Sequence, residues 1–267
     1  MSQPSIGIIC GQGEFPRLTI DAYRKQGYRT CALVLREENS MDIASEADHS
    51  MELPIEKIGR IIRFFRDQQV KQLVFAGKVH KKVVYRTIFT DLTAIRLMRR
   101  FKDHRDASMM YVIISFLEEE GFEVVPQSRY MEEHLAPQGV ISGKINSELA
   151  EDIKYGHRLA RLMADEEVGQ TVAVLRQSAV AIEALEGTDK AIARAGELAK
   201  GSTIVKVERS HQDQRFDIPT IGLETVELAI IAKCRCLAIE ADKVFFFQRE
   251  EAMKLAKKHQ LVLYGIG

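Results

Sequence analysis

The sequence predicts an α/β fold in two parts: a Rossmann-like parallel-sheet domain followed by a mixed α/β domain. Three observations predict it. Over the first half, short apolar runs alternate with stretches of helical periodicity, the pattern of a parallel sheet covered on both faces. Near residues 130 to 150 periodicity fades and Pro137, Gly139 and Gly143 appear. Beyond that point two strand-like runs follow one another directly, joined by the tight "RQS". A chain of 267 residues is also more natural for two modest domains than for one. The expected division is 1–133, a connecting hinge at 134–146, and 147–267.

In the first part, "IGIIC" (6–10) reads as a strand ending at Gly11 and Gly13, and Pro16 suits the first turn of a helix running to about Gln26. "TCALVL" (30–35) is a second strand, and Ile58, Ile61, Ile62 and Phe65 fall at helical spacing. "KQLVFAG" (71–77) is a third strand, ending at Gly77. Helices are expected at 92–101 and 107–119, and "FEVV" (122–125) closes the set. In such sheets ligands gather at the carboxyl ends of the strands, where these glycines lie. The second part reads as a helix (147–163), the strands "QTVAVL" and "AVAIEAL", a helix (190–199) and the strand "TIVKVE". A polar segment, a helix from about 223, "CLAIEA", "KVFFF", a helix (248–258) and "LVLYG" complete it.

Composition narrows the function. The 38 basic and 38 acidic side chains cancel, which argues against a protein held on nucleic acid through its phosphates. Neither a secretory leader nor a run of about 20 apolar residues is visible, so a soluble cytoplasmic protein is expected. Cys10, Cys31, Cys234 and Cys236 fit reduced buried thiols, because "CRC" has neither zinc-knuckle spacing nor a second Cys/His pair.

Three stretches carry candidate chemistry. "CGQGEFP" (10–16) is a glycine-rich strand-to-helix turn, either a plain tight turn or a phosphate contact. "EALEGTD" (183–189) brackets Gly187 with Glu186, Thr188 and Asp189; ordinary capping, with Thr188 as N-cap, explains part of it. Carboxylates beside a helix N-terminus also suit a divalent cation bridging phosphate oxygens. "KVERSHQDQRFDIPTIG" (206–222) sets a crowd of polar side chains between two apolar elements. There Arg215 and Asp217 alternate with Phe216, so in an extended segment they share a side. They form either a surface ion pair worth under about 1 kcal/mol or a phosphate clamp beside a metal ligand or general base.

These stretches, with "VGQTVAV", "VFAGKV" and the closing "LVLYGIG", resemble the LpxI-type UDP-2,3-diacylglucosamine pyrophosphatases of lipid A biosynthesis nearly end to end. The resemblance implies hydrolysis of UDP-2,3-diacylglucosamine to UMP and 2,3-diacylglucosamine 1-phosphate (lipid X). It further implies a ligand cleft between the two domains, a divalent metal (magnesium, or another such as manganese), a homodimer, and peripheral contact with the cytoplasmic face of the inner membrane. Asp217 matches the family's essential aspartate, Arg215 the arginine before it, and Gln212 and Lys206 the polar residues upstream. These four are the expected catalytic residues. Asp217 with Asp189 and Glu186 is the expected metal set. Expected substrate contacts are Gly11, Gly13, Gly77 and Lys78 in the first half, and Gln170, Gly187, Thr188 and Thr220 in the second. The chain departs from the family pattern at Gln12, where a middle glycine is usual, at "VHKK" with His80, Lys81 and Lys82, and at Glu167. A phosphohydrolase of another nucleotide-sugar and a non-catalytic nucleotide-lipid binding protein are the alternatives.

Overall fold

The computed structural model describes residues 3–36, 41–78, 92–101 and 106–267; His80, Lys81, Lys82 and His104 lie outside them. The chain divides into two compact units, Met1–Met131 with Gln214–Phe216, and Glu132–Asp213 with Asp217–Gly267.

The first unit is built on five parallel strands in the order β3-β2-β1-β4-β5. They are β1 (Ser5–Cys10), β2 (Arg29–Leu35), β3 (His49–Leu53), β4 (Gln72–Ala76) and β5 (Glu123–Val124). Strands β1, β2 and β4 are the apolar runs expected, buried along most of their length. Edge strand β3, "HSMEL", escapes sequence reading because its first half is polar and exposed. Helix α1 (Phe15–Lys25) has Pro16 at its start and buries Phe15, Ile20 and Tyr23. After the short α2 (Met41–Ala44), α3 (Ile58–Asp67) buries Ile61, Ile62, Phe64 and Phe65. Helices α4 (Leu92–Met98) and α5 (Asp106–Glu119) follow, and Ile114, Phe116 and Leu117 carry α5 into the core. Between β1 and β4 the chain changes direction of travel across the sheet, the place where this strand order leaves a crevice.

The second unit carries a six-stranded mixed sheet, β6-β13-β11-β9-β7-β8. Its members are β6 (Gly139–Ser142), β7 (Thr171–Leu175), β8 (Ser178–Ile182), β9 (Thr203–Lys206), β11 (Cys236–Glu240) and β13 (Val262–Ile266). Strands β9, β11 and β13 run parallel, with antiparallel partners at both sides. A separate parallel pair joins β10 (Thr220–Ile221) to β12 (Phe245–Phe246). The stretch expected as a hinge holds β6 and also Leu135, which bridges Phe245.

Alternation along the strands separates two cores. Val205, Cys236 and Ala238 face α6 (Ser147–Asp165), where Gly156 comes so close that a Cβ would lie 2.6 Å from Val205. Ile204, Leu237 and Ile239 face the opposite layer, made of α7 (Thr188–Leu198), α8 (Leu223–Ile231) and α9 (Arg249–Lys258). The "RQS" turn places Arg176 and Gln177 at positive φ, 50° and 55°. Both amides donate to the fully buried Asp152 carboxylate, at 3.0 and 2.6 Å.

Candidate functional site

The period of the strand decides where Lys206 points. Ile204 faces the α7 layer, so Lys206, two residues on at the carboxyl end of β9, faces it too. By the same parity Thr171, its register partner on β7, lies on that side with Ala173. There Lys206, only 6% exposed, donates from Nζ to Thr188 Oγ1 at 2.7 Å and to Thr171 Oγ1 at 3.4 Å. Thr188 Oγ1 in turn donates to Glu183 Oε1 at 3.0 Å. The "EGTD" turn and the start of the polar segment therefore meet through one hydroxyl. An ammonium this buried needs such partners, since its desolvation is otherwise prohibitive.

Capping at this turn differs from the simplest expectation. Gly187, at φ 84°, is the N-cap of α7 and Thr188 is the first helical residue. Its hydroxyl is thereby released from capping and turned toward Lys206. Asp189 sits exposed in the first turn. Glu186 binds Arg194, and its carboxyl is held below the usual range by its own backbone amide and by that guanidinium. Gln170 precedes β7; its carbonyl accepts the Val207 amide at 3.0 Å, and its Nε2 is buried without a hydrogen-bond partner among the described residues.

The rest of the polar segment is tied down residue by residue. Glu208 is buried, its carboxylate 2.7 Å from Lys243 Nζ and its amide donating to Glu240 Oε2 at 3.0 Å. Ser210 donates to Asp165 from both amide and hydroxyl, each at 2.7 Å. Gln212 Nε2 donates to the Asp217 carbonyl at 3.1 Å, and Arg209 Nη2 lies 3.6 Å from Asp217 Oδ2. Asp217 itself is left-handed, at φ 57°, a conformation that aspartate tolerates better than most residues. Its carboxylate is 60% exposed, and Ile218 and Pro219 after it are buried.

That left-handed turn overturns the expected extended alternation. Residues 214–216 form a turn and bend rather than an extended run, and Arg215 counts with the first unit while Asp217 counts with the second. Arg215 Nη1 pairs with Glu118 Oε1 at 2.9 Å, and Phe216 is buried edge-on to Tyr111, their centroids 5.4 Å apart. Thr220 is exposed, with its hydroxyl donating to the Ile218 carbonyl at 3.2 Å.

In the first unit the glycines serve a backbone crossing. Gly11 N donates to the Ala76 carbonyl at 2.8 Å, and Gln12 and Lys78 exchange amide–carbonyl bonds of 2.8 and 3.0 Å. A Cβ on Gly11 would lie 2.5 Å from the Lys78 carbonyl oxygen, and one on Gly77, at φ 90°, 2.6 Å from that of Gln12. Gly13, at φ 94°, meets nothing within 4 Å. The Lys78 side chain is exposed.

Among the described residues no three His, Cys, Asp or Glu side chains are grouped to hold a metal, and no helix is long and apolar enough to cross a membrane. The described residues form no closed cage; a magnesium-type ion, which takes one or two carboxylates and completes its shell from phosphate oxygens and water, suits the exposed Asp217. Thr171 and Glu183 were not among the expected site residues. Strand parity could have found Thr171, while Glu183 gave only the signal of a carboxylate left unexplained beside a helix start.

A Rossmann-ordered unit followed by a mixed-sheet unit with a buried lysine at its strand ends defines a two-unit α/β protein with its richest chemistry in the second unit. The chain belongs to the LpxI family: the LpxI N-terminal domain matches residues 5–134 and the LpxI C-terminal domain residues 137–264. The UDP-2,3-diacylglucosamine pyrophosphatase LpxI of Caulobacter vibrioides is 25% identical over 98% of this chain and 97% of its own length. Among solved structures, a biotin carboxylase domain of a thermophilic 2-oxoglutarate carboxylase bound to ADP is similar at 13% identity, with a TM-score of 0.29, over 74% of this chain. The biotin carboxylase subunit of pyruvate carboxylase is 14% identical, with a TM-score of 0.29, over 75% of this chain. This chain spans only 33% and 34% of those two, a likeness too slight to bear on function.

Proposed function

We propose that this protein hydrolyses the diphosphate of UDP-2,3-diacylglucosamine to UMP and 2,3-diacylglucosamine 1-phosphate. Membership of the LpxI family and the name of the Caulobacter relative support the substrate. The observation that carries the chemistry is the 2.7 Å bond from Lys206 to Thr188, which joins the two stretches richest in phosphate-handling residues.

A diphosphate repels hydroxide, so hydrolysis near neutral pH requires its charge to be offset and a water to be positioned. Lys206 would face a phosphate oxygen with a charge already desolvated, and so worth more than in water. Asp217, exposed and held by its strained backbone, would orient the attacking water and accept its proton. Gln212 fixes the Asp217 main chain, and Arg209 steadies its carboxylate. Magnesium or manganese is part of this reading; Asp217 with the diphosphate's own oxygens would hold it, and it would supply further charge neutralisation. Gln170, Gly187 and Thr220, with Gly11, Gly13, Gly77 and Lys78, are proposed substrate contacts. A homodimer working in the cytoplasm against the inner membrane surface completes the proposal.

The test is release of UMP from the diacylated substrate with and without magnesium, set against UDP-N-acetylglucosamine. Asp217→Ala is expected to lower turnover at least about a thousandfold with its melting temperature kept near that of the parent protein. Equal rates on both substrates would remove lipid specificity. Binding without cleavage would make this a nucleotide-lipid binding protein, and near-normal turnover of Asp217→Ala would take that residue out of the chemistry.

A further inference from the structure

We infer that Glu183 is a positioning residue: acting through the Thr188 hydroxyl, it fixes the direction in which Lys206 presents its ammonium. The inference deepens the phosphate-handling reading of Lys206 and rests on it. Thr188 has one hydroxyl proton. With Glu183 Oε1 3.0 Å away and able only to accept when ionised, that proton goes to the carboxylate. The lone pairs of the same oxygen then face Lys206 Nζ at 2.7 Å and Thr171 Oγ1 at 3.4 Å. Polarity along the chain of bonds has one sense, ammonium to hydroxyl to carboxylate. A hydroxyl free to rotate could instead aim its proton at the ammonium and push it away.

Glu183 is built to stay where it is. Its amide donates to the Thr171 carbonyl at 2.9 Å. On its other side Gly169 is tolerated only as glycine, since a Cβ there would lie 2.2 Å from the Glu183 carbonyl oxygen. Its second carboxylate oxygen, Oε2, is buried with no hydrogen-bond partner among the described residues. A carboxylate with one oxygen buried and unpartnered is costly to keep, and a purely structural role is served as well by a neutral side chain. Its charge has a purpose if it polarises Thr188 toward an ammonium that must be aimed. The Glu183 carboxylate thus reaches Lys206 through one inserted threonine, which sets the direction of the ammonium.

The experiment uses the full chain with Glu183→Gln, Thr188→Val, Thr188→Ser, the double variant Glu183→Gln/Thr188→Val, and Lys206→Met for signal assignment. On the diacylated substrate, kcat is expected to fall about 10- to 100-fold in Glu183→Gln and in Thr188→Val, with KM within about threefold. Thr188→Ser restores most of the rate, and the double variant is within about threefold of the worse single one, as for groups acting in series. A second readout needs no turnover. In protein labelled with 15N at the lysine ζ position, the Lys206 ammonium signal (the one missing in Lys206→Met) is expected to stay in Thr188→Ser and to shift or broaden away in Thr188→Val and Glu183→Gln. Wild-type protein that cleaves nothing would refute the proposed function, and the spectra would still decide the positioning role. An unchanged Lys206 signal in both Thr188→Val and Glu183→Gln would overturn it, as would full-rate turnover or effects that multiply in the double variant. If Glu183→Gln does not fold, the Thr188→Val and Thr188→Ser pair carries the same test.

Discussion

At the ends of β1 and β4 the first unit joins two loops by backbone alone; at the end of β9 the second unit joins two segments by side chains. The first place is where a Rossmann strand order leaves its crevice, and the amides of Gly11, Gln12 and Lys78 are all bonded to carbonyls there. The second has a buried ammonium, two threonine hydroxyls and a carboxylate within a few ångströms of one another. Strand order therefore says where a ligand can lie, and side-chain chemistry says where it can react. Removing the charge at the second place is the strongest way to break the comparison. Lys206→Met, similar in length and without charge, is expected to cut UMP release about 100- to 1000-fold, equivalent to about 3 to 4 kcal/mol of barrier. Its melting temperature should fall by only a few degrees. Turnover within tenfold of the parent would move the chemistry away from the end of β9.

The first unit was legible from sequence because its central strands are continuous apolar runs, as buried parallel strands must be. The edge strands β3 and β6 were not: one is half polar, the other lies in a stretch rich in glycine and proline. At the site, Lys206, Thr188 and Asp217 could be singled out as residue types in suggestive company. What sequence withheld was their geometry. The contact of Lys206 with Thr188 depends on the register of β9 against β7, and on Gly187 rather than Thr188 capping α7. The left-handed backbone of Asp217 breaks the alternation of Arg215 and Asp217 about Phe216, because Phe216 is drawn into an apolar core just before it.

The glycines of the first unit sharpen the comparison with a graded series. Gly77→Ala combines a left-handed backbone with a Cβ 2.6 Å from a carbonyl oxygen, and is expected to destabilise by about 3 kcal/mol. Gly11→Ala meets only the close contact, 2.5 Å, for about 2 kcal/mol. Gly13→Ala has a positive φ of 94° and open space, for about 1 kcal/mol. Urea unfolding gives the order directly. If Gly13→Ala is the most damaging of the three, the backbone crossing is not what holds these two loops together.

The smallest effect tests whether charge is spread along the strand ends of the second unit or confined to Lys206. Glu240 closes β11 beside Lys206's neighbour Glu208, accepting that residue's amide and the Arg161 guanidinium, with His157 Nε2 at 3.9 Å. Burial pushes its carboxyl up, but the amide, the guanidinium and the imidazole when protonated outweigh burial and hold it below the usual carboxylate range. A carboxyl depressed by folding stabilises the protein above its unfolded value, about 4.3, and that contribution is lost as pH falls through the lower folded value. Glu240→Gln keeps an acceptor and loses the charge, so it should cost about 1 kcal/mol near pH 7, the difference between charged and neutral hydrogen bonds. The gap between parent and variant should then close as pH drops below about 4, because the parent's own carboxyl becomes neutral. Unfolding in urea across that range reads the gap at each pH. A gap that stays constant into acid would mean that Glu240 acts by shape and hydrogen bonding alone.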